Sequence, residues 1–240
     1  MSGGPGPRAV LFDAVGTLVE TAEPVGGTYA GIARDFGVEL PAARIGDAFR
    51  RIWPQAPPMA FPGEPPERVA ALERDWWRER VRATFRAADA TARFDDFEAF
   101  FGAVWEHFAR PAAWRCREGA LAAIAALRRA GWKTALVSNV DQRLRPVFSA
   151  LGLAAHLDAI VLPGDAGAAK PDPRIFALAL ERLGVAPARA VFVGDDPEQD
   201  LRAARRAGLR AVDVAGLATL AELPARISDA AHAAPGQETR

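Results

Sequence analysis

A single cysteine, Cys116, stands among 240 residues, so no disulfide can form within the chain. That fits a reducing, cytoplasmic setting. Lysine is nearly absent: only Lys133 and Lys170 accompany 28 arginines in a total of 30 basic residues. An arginine-biased genome accounts for the excess, but a lysine kept against such a bias marks a position worth following. No apolar run reaches the roughly 20 residues that a membrane-spanning helix requires. The opening MSGGPGP lacks the apolar segment a signal peptide carries. Excess charge is missing too. The 30 basic and 30 acidic residues cancel, which points away from nucleic-acid or membrane-surface partners. What is present is ordinary for a soluble globular protein of one or two domains: half the residues are hydrophobic and a quarter are charged.

The first patterned segment is Arg8 to Asp13, RAVLFD, a short apolar run ending in an acid, as a buried parallel strand reads. Gly16 and Thr17 follow, so the chain turns there. From about residue 25 to 110 the texture changes. Five of the six tryptophans fall between Trp53 and Trp114, and no strand stands out. Val69, Leu72, Trp76, Val81 and Phe85 fall near one helical face, as do Phe94, Phe97, Phe101, Val104, Trp105 and Phe108. Asp95 or Asp96 can cap the second of these helices. Two weaker helices precede them, near 26–36 and 41–53, and the proline-rich QAPPMAFPGEPPE that follows admits no regular structure. The aromatic stripes read as core packing rather than as a cofactor site.

From about 118, helices that end at glycine alternate with short apolar strands. Helix 118–130 stops before Gly131, 141–151 before Gly152, 173–183 before Gly184 and 197–207 before Gly208; strands are expected at 133–137, 158–161, 190–193 and 210–214. Such repetition is the mark of βαβ units around a parallel sheet. The expectation is a doubly wound α/β core formed by residues 1–24 and 111–240, with 25–110 as an inserted all-helical block. The two ends, MSGGPGP and AAPGQETR, read as frayed.

In an open parallel sheet, ligands bind beyond the carboxyl ends of the strands. Asp13, Ser138-Asn139 and Asp195-Asp196 stand at three such ends, and Lys170 lies in a loop that can reach the same edge. Any one of them serves equally well as a helix cap or turn former. Four groups converging on one edge, three from strand ends and one from a loop, are harder to attribute to caps. The remaining candidates carry less. His107, His156 and His232 make no metal spacing, and Cys116 has no histidine near it in sequence. The loop Pro163–Ala169 lacks a phosphate-loop spacing, and the pairs Arg128-Arg129 and Arg205-Arg206 read as solvated helix faces.

The segments F-D-A-V-G-T-L, V-S-N, K-P-D-P-x-I-F and V-G-D-D-P-E-Q-D, in that order and with an insertion just after the first, resemble the haloacid dehalogenase-like hydrolase superfamily from residue 8 to about 220. The resemblance implies a Rossmann-like core with a helical cap and a covalent mechanism with Asp13 as nucleophile. It implies that Lys170 is the compact positive charge beside that carboxylate. Ser138, Asn139 and Thr17 would serve the substrate or its phosphoryl oxygens, Thr17 also tightening the turn. Mg²⁺ would be held by Asp13, the backbone carbonyl of Val15 and Asp195, with Asp196 and Asp200 supporting from behind. A small-molecule substrate follows; the choice between monomer and homodimer stays open.

One position departs from the pattern. Most phosphatases of the superfamily place an aspartate two residues after the nucleophile, to protonate the leaving group and then activate water. Here that residue is Val15. A positioned acid–base group contributes roughly 10²–10⁴-fold in rate. Three readings follow. The preferred one is a slow or specialised Mg²⁺-dependent phosphohydrolase acting on acidic leaving groups such as acyl or aryl phosphates. A 2-haloacid dehalogenase is the second, since a halide leaves without a proton. Against it, the G-D-D loop is of the metal type, Phe176 lies in the neighbourhood of the expected tyrosine, and only Arg34 offers a halide-binding arginine. The third is a non-catalytic binding or regulatory protein. The missing aspartate, with Asp75-Trp76-Trp77 and Ala113-Trp114-Arg115, resembles the subgroup of the rhythmically expressed gene 2 protein and haloacid dehalogenase-like hydrolase domain-containing protein 3.

Overall fold

The run Arg8–Phe12 forms strand β1, and its alternation sends Ala9 and Leu11 to one face of a sheet and Val10 and Phe12 to the other. All four are fully buried, as a strand with helices on both faces must be. The computed structural model describes residues 8–232; the two ends read above as frayed, 1–7 and 233–240, lie outside the described residues. After β1 come β2 (Val19–Thr21) and four helices, α1 (Val25–Arg34), α2 (Ala42–Ile52), α3 (Pro66–Ala88) and α4 (Phe97–Ala109). Then follow β3 (Trp114–Cys116), α5 (Ala120–Arg129), β4 (Trp132–Val137), α6 (Leu144–Ala150), β5 (Ala159–Val161), α7 (Pro163–Ala166) and α8 (Pro173–Leu183). The chain closes with β6 (Ala190–Gly194), α9 (Ala203–Arg206), β7 (Arg210–Asp213) and α10 (Leu223–His232). None of the described helices is long and apolar enough to cross a membrane.

The residues group into two compact units. One holds the chain up to Glu20, the stretch Ala60–Gly63 and everything from Cys116 on; the other holds Thr21–Met59 and Glu64–Arg115. In the first unit five strands form one parallel sheet in the order β5-β4-β1-β6-β7. The order reverses at β1, so the sheet is doubly wound and its crevice lies at the carboxyl ends of β1, β4 and β6. One face is closed by α8 and α9, whose Ile175, Phe176, Ala179 and Ala204 pack with Leu11, Val137 and Phe192. On the other side lie α5 and α10, burying Ile124, Leu127 and Ile227. β2 and β3 make a separate two-stranded ribbon.

The second unit is all helical. Tyr29, Ile45, Val81, Phe85, Phe100, Phe101 and Val104 form its core. The aromatic stripes are core packing: Phe94 stacks on Phe100 with centroids 4.2 Å apart. Asp96 caps α4 by accepting from the Ala99 amide at 2.9 Å. Trp53, Trp76 and Trp77 pack edge to face and tilted on one another.

Two local features go beyond the sequence. Lys133, the other of the two lysines, donates to the Leu183 carbonyl at 2.6 Å and so satisfies the carboxyl end of α8. The helix expected over 197–207 is wound as a π-helix over Pro197–Arg202 and is α-helical only over Ala203–Arg206. Such wide turns concentrate at functional sites.

Candidate active site

Asp13 is the first residue past β1, and its amide extends the ladder to the Val193 carbonyl at 2.9 Å. The backbone is held before the side chain does anything. The residue is 7% exposed, and one carboxylate oxygen accepts a 2.5 Å hydrogen bond from the Lys170 ammonium. Lys170 donates at the same distance to Asp200 and lies 5.3 Å from the centroid of the Phe192 ring. Burial alone would push the lysine down, but the Asp13 and Asp200 carboxylates outweigh it and hold its pKa above the ordinary value. The ammonium therefore stays charged.

Asp200 is the hub on the other side. Its second oxygen accepts from the amides of Asp195 and Asp196, each at 3.2 Å. The π-turn brings it there, and Gly194 makes room: a methyl group on Gly194 would come within 2.4 Å of that oxygen. Burial pushes the Asp200 carboxyl up, Lys170 opposes this, and the charge of Asp13 adds to it.

Asp195 follows β6 and is half-buried. Burial pushes its carboxyl up, against a 2.8 Å hydrogen bond from the Thr17 hydroxyl. Gly16 closes over it in the left-handed region, φ +89°, and a methyl group there would lie 2.5 Å from the Asp195 carboxylate. A glycine is required on both counts. Asp13, Asp195 and Asp200 each offer a carboxylate oxygen within 4.8 Å of one another. Three hard oxygen donors facing a single ammonium leave excess negative charge, the environment a hard divalent cation suits.

The other sequence candidates fall into place around this cluster. Ser138 follows β4, 2% exposed. Asn139 grips the backbone of Lys170: its oxygen accepts from the Lys170 amide at 2.7 Å and its nitrogen donates to the Lys170 carbonyl at 2.8 Å. The same nitrogen donates to Gln199 at 2.8 Å, a residue the sequence did not single out. Both amide protons of Asn139 thus have partners within the protein. The Thr17 side chain is fully buried, with its hydroxyl on Asp195. Asp196 turns away to cap the π-helix through the amides of Glu198 and Gln199. Val15 is exposed, at 38%.

Phe176 is buried against Phe192, ring centroids 5.2 Å apart, and has no hydroxyl to offer. Arg34 lies exposed on the last turn of α1, in the helical unit. Burial pushes the Cys116 thiol up, away from thiolate chemistry.

Chemically, the cluster presents a buried carboxylate with a fixed cation on one oxygen, two further carboxylates able to hold a metal, and no proton donor at Val15. A family model described as haloacid dehalogenase-like hydrolase matches residues 7–208. "Haloacid dehalogenase-like hydrolase domain-containing protein 3" of Mus musculus is 36% identical over 212 residues, covering 87% of this chain and 82% of that protein. A "Phosphoserine phosphatase" of Thermus thermophilus is 34% identical over 177 residues, 73% of this chain and 58% of that protein. Among solved structures, a putative β-phosphoglucomutase from Thermotoga maritima shares the fold with a TM-score of 0.66 at 24% identity, covering 92% of this chain and 99% of that one. With a family model spanning most of its length and a relative above one-third identity, the chain belongs to the haloacid dehalogenase-like hydrolases.

Proposed function

We propose that the protein is a Mg²⁺-dependent phosphohydrolase of small molecules, working through an aspartyl-phosphate on Asp13 and confined to substrates whose leaving group needs no protonation. The observation that carries this reading is the grouping of Asp13, Asp195 and Asp200 around the Lys170 ammonium. The similarity to a phosphatase at 34% identity supports it.

Lys170 holds one oxygen of Asp13, leaving the other to attack phosphorus. The new O–P bond forms as the bond to the leaving oxygen breaks, and that oxygen departs with the electron pair. Ser138 and neighbouring amides steady the phosphoryl oxygens, and Lys170 counters their charge. Water then attacks the phosphorus and passes its proton to a phosphoryl oxygen as the O–P bond to Asp13 breaks, releasing inorganic phosphate and restoring the carboxylate. Asp13, Asp195 and the Val15 carbonyl would hold Mg²⁺, with Asp200 orienting Lys170 and the Asp195 backbone. Mg²⁺ supplies charge neutralisation at the phosphoryl group. Val15 neither gives nor takes a proton, so acyl or aryl phosphates, whose leaving groups depart as stable anions, suit the site and alkyl phosphates do not.

Val15 also favours a second reading, 2-haloacid dehalogenation, because a halide leaves unprotonated. The acidic cluster and the buried Phe176 weigh against it. The test is a panel of aryl, acyl and alkyl phosphates and 2-haloacids, each with Mg²⁺ and with chelator. Turnover of aryl and acyl phosphates, abolished by chelator and by Asp13→Asn, is the expected result. Metal-independent turnover of haloacids alone would overturn the phosphatase reading, and a blank panel would favour a binding role.

A further inference from the structure

The turn after Asp13 is tied off by an arginine outside all four motifs. Within the turn the amides of Thr17, Leu18 and Val19 point inward to the Ala14 carbonyl at 3.3, 2.8 and 2.9 Å. The carbonyls of Gly16, Thr17 and Leu18 face the other way and meet Arg117. One guanidinium nitrogen donates to Gly16 at 2.8 Å and lies 3.5 Å from the Thr17 carbonyl; the Arg117 amide donates to Leu18 at 2.9 Å. The second terminal nitrogen donates at 3.0 Å to Leu217, beyond β7. Leu217 is buried, and its amide is bonded to Val214. Arg117 therefore braces the turn against a fixed point of the core: its side chain joins the Gly16 and Thr17 carbonyls to Leu217, and its backbone amide holds Leu18. A planar fork of donors makes the side-chain link; a single ammonium cannot span both anchors.

What the turn carries gives the brace its meaning. Gly16 leaves no room for a methyl group beside the Asp195 carboxylate, and Thr17 hydrogen-bonds that carboxylate. The turn thus sets Asp195 from two sides, while Val15 sits on the same turn. We infer that Arg117 is a positioning residue for the metal site: by fixing the carbonyls of Gly16–Leu18 it sets the Asp195 carboxylate through Gly16 and Thr17. The metal part of this inference rests on the Mg²⁺ reading proposed above.

Full-length wild type, Arg117→Gln, Arg117→Lys, Thr17→Val and the Arg117→Gln/Thr17→Val pair separate the possibilities. Calorimetric titration with Mg²⁺ alone should show binding weakened about tenfold in Arg117→Gln, the lower end for outer-shell changes, with partial recovery in Arg117→Lys. On p-nitrophenyl phosphate kcat should fall while KM stays near wild type. The double variant should lose less than the product of the single losses, because both act on Asp195 through one turn. Amide exchange at Gly16, Leu18 and Val19 in metal-free protein should quicken in Arg117→Gln. Unchanged exchange, or wild-type Mg²⁺ affinity in Arg117→Gln, overturns the inference, as does an additive double variant. If wild type binds no Mg²⁺, the metal reading alone fails, and the exchange measurement still decides whether Arg117 holds the turn. If Arg117→Gln does not fold, Arg117→Lys decides on the same readouts.

Discussion

The hydroxyl of Thr17 donates a 2.8 Å hydrogen bond to Oδ1 of Asp195, a residue 178 positions later in the chain. Thr17 is fully buried, so valine keeps its volume and removes only the donor. Asp195 would then keep the burial that pushes its carboxyl up and lose a bond that opposes it. Thr17→Val should fold, weaken Mg²⁺ binding about tenfold and cost about 1–3 kcal/mol of stability. Urea unfolding and Mg²⁺ titration measure the two effects; equal affinity in both proteins would remove Thr17 from the support of Asp195.

Val15 offers the opposite kind of test, a gain. Its side chain is exposed, so an aspartate introduced there meets solvent rather than a packed core. Val15→Asp should raise hydrolysis of alkyl phosphates at least about tenfold, short of the 10²–10⁴-fold of a fully adapted acid–base group. Aryl phosphate rates should change much less. Steady-state kinetics on a matched alkyl and aryl pair checks this, and equal changes on both would count against a missing acid as the limit on substrate choice.

Lys170 pairs with two buried carboxylates at once. Lys170→Met leaves Asp13 and Asp200 buried without their counter-charge, which should cost about 3–5 kcal/mol. Activity should vanish with it. Lys170→Arg should also fail, since a planar guanidinium must enter a site where the present side chain is 3% exposed. Denaturant midpoints of both variants, compared with Asp13→Asn, test the electrostatic account; a Lys170→Met protein as stable as wild type would contradict it.

Away from the site, Asp158 links β4 and α5. It accepts from the Thr134 amide and from Arg128, each at 2.8 Å. Burial pushes its carboxyl up, but these bonds outweigh it and hold the pKa below the ordinary 3.8. A carboxyl lowered on folding adds stability above its unfolded pKa and loses it as the pH falls through that value toward the folded one. The stability gap between wild type and Asp158→Asn should therefore narrow on acidification from about pH 6 to about pH 3. Urea midpoints across that range check the sign. A gap that widens in acid would mean the carboxylate is not the stabilising form.

The core was legible because its signals are local. RAVLFD reads as a buried strand from its own composition, and Gly131, Gly152, Gly184 and Gly208, all at positive φ, announce helix ends one by one. Asp13, Ser138, Lys170 and Asp195 could be named because each stands just past such a strand or in a motif loop. Lys170 stood out further as one of two lysines. The π-turn over Pro197–Arg202 was not legible. Its residues suit an ordinary helix, and the wide winding comes from Asp200 reaching back to Lys170 and to the amides of Asp195 and Asp196.

The sequence by itself determined the doubly wound sheet, the family, and the acidic and basic residues offered at the strand ends. It also determined the absence of an acid at Val15. Those depend on hydrophobic period, glycine punctuation and residue identity, which neighbouring positions carry. Only the tertiary structure decided what each side chain faces. It turned Thr17 onto Asp195, set the Asn139 amide on the Lys170 backbone and Gln199, and picked Arg117 from 28 arginines to brace the turn after Asp13. Such partners lie tens to more than a hundred positions apart, and hydrogen bonding has no period along the chain to reveal them.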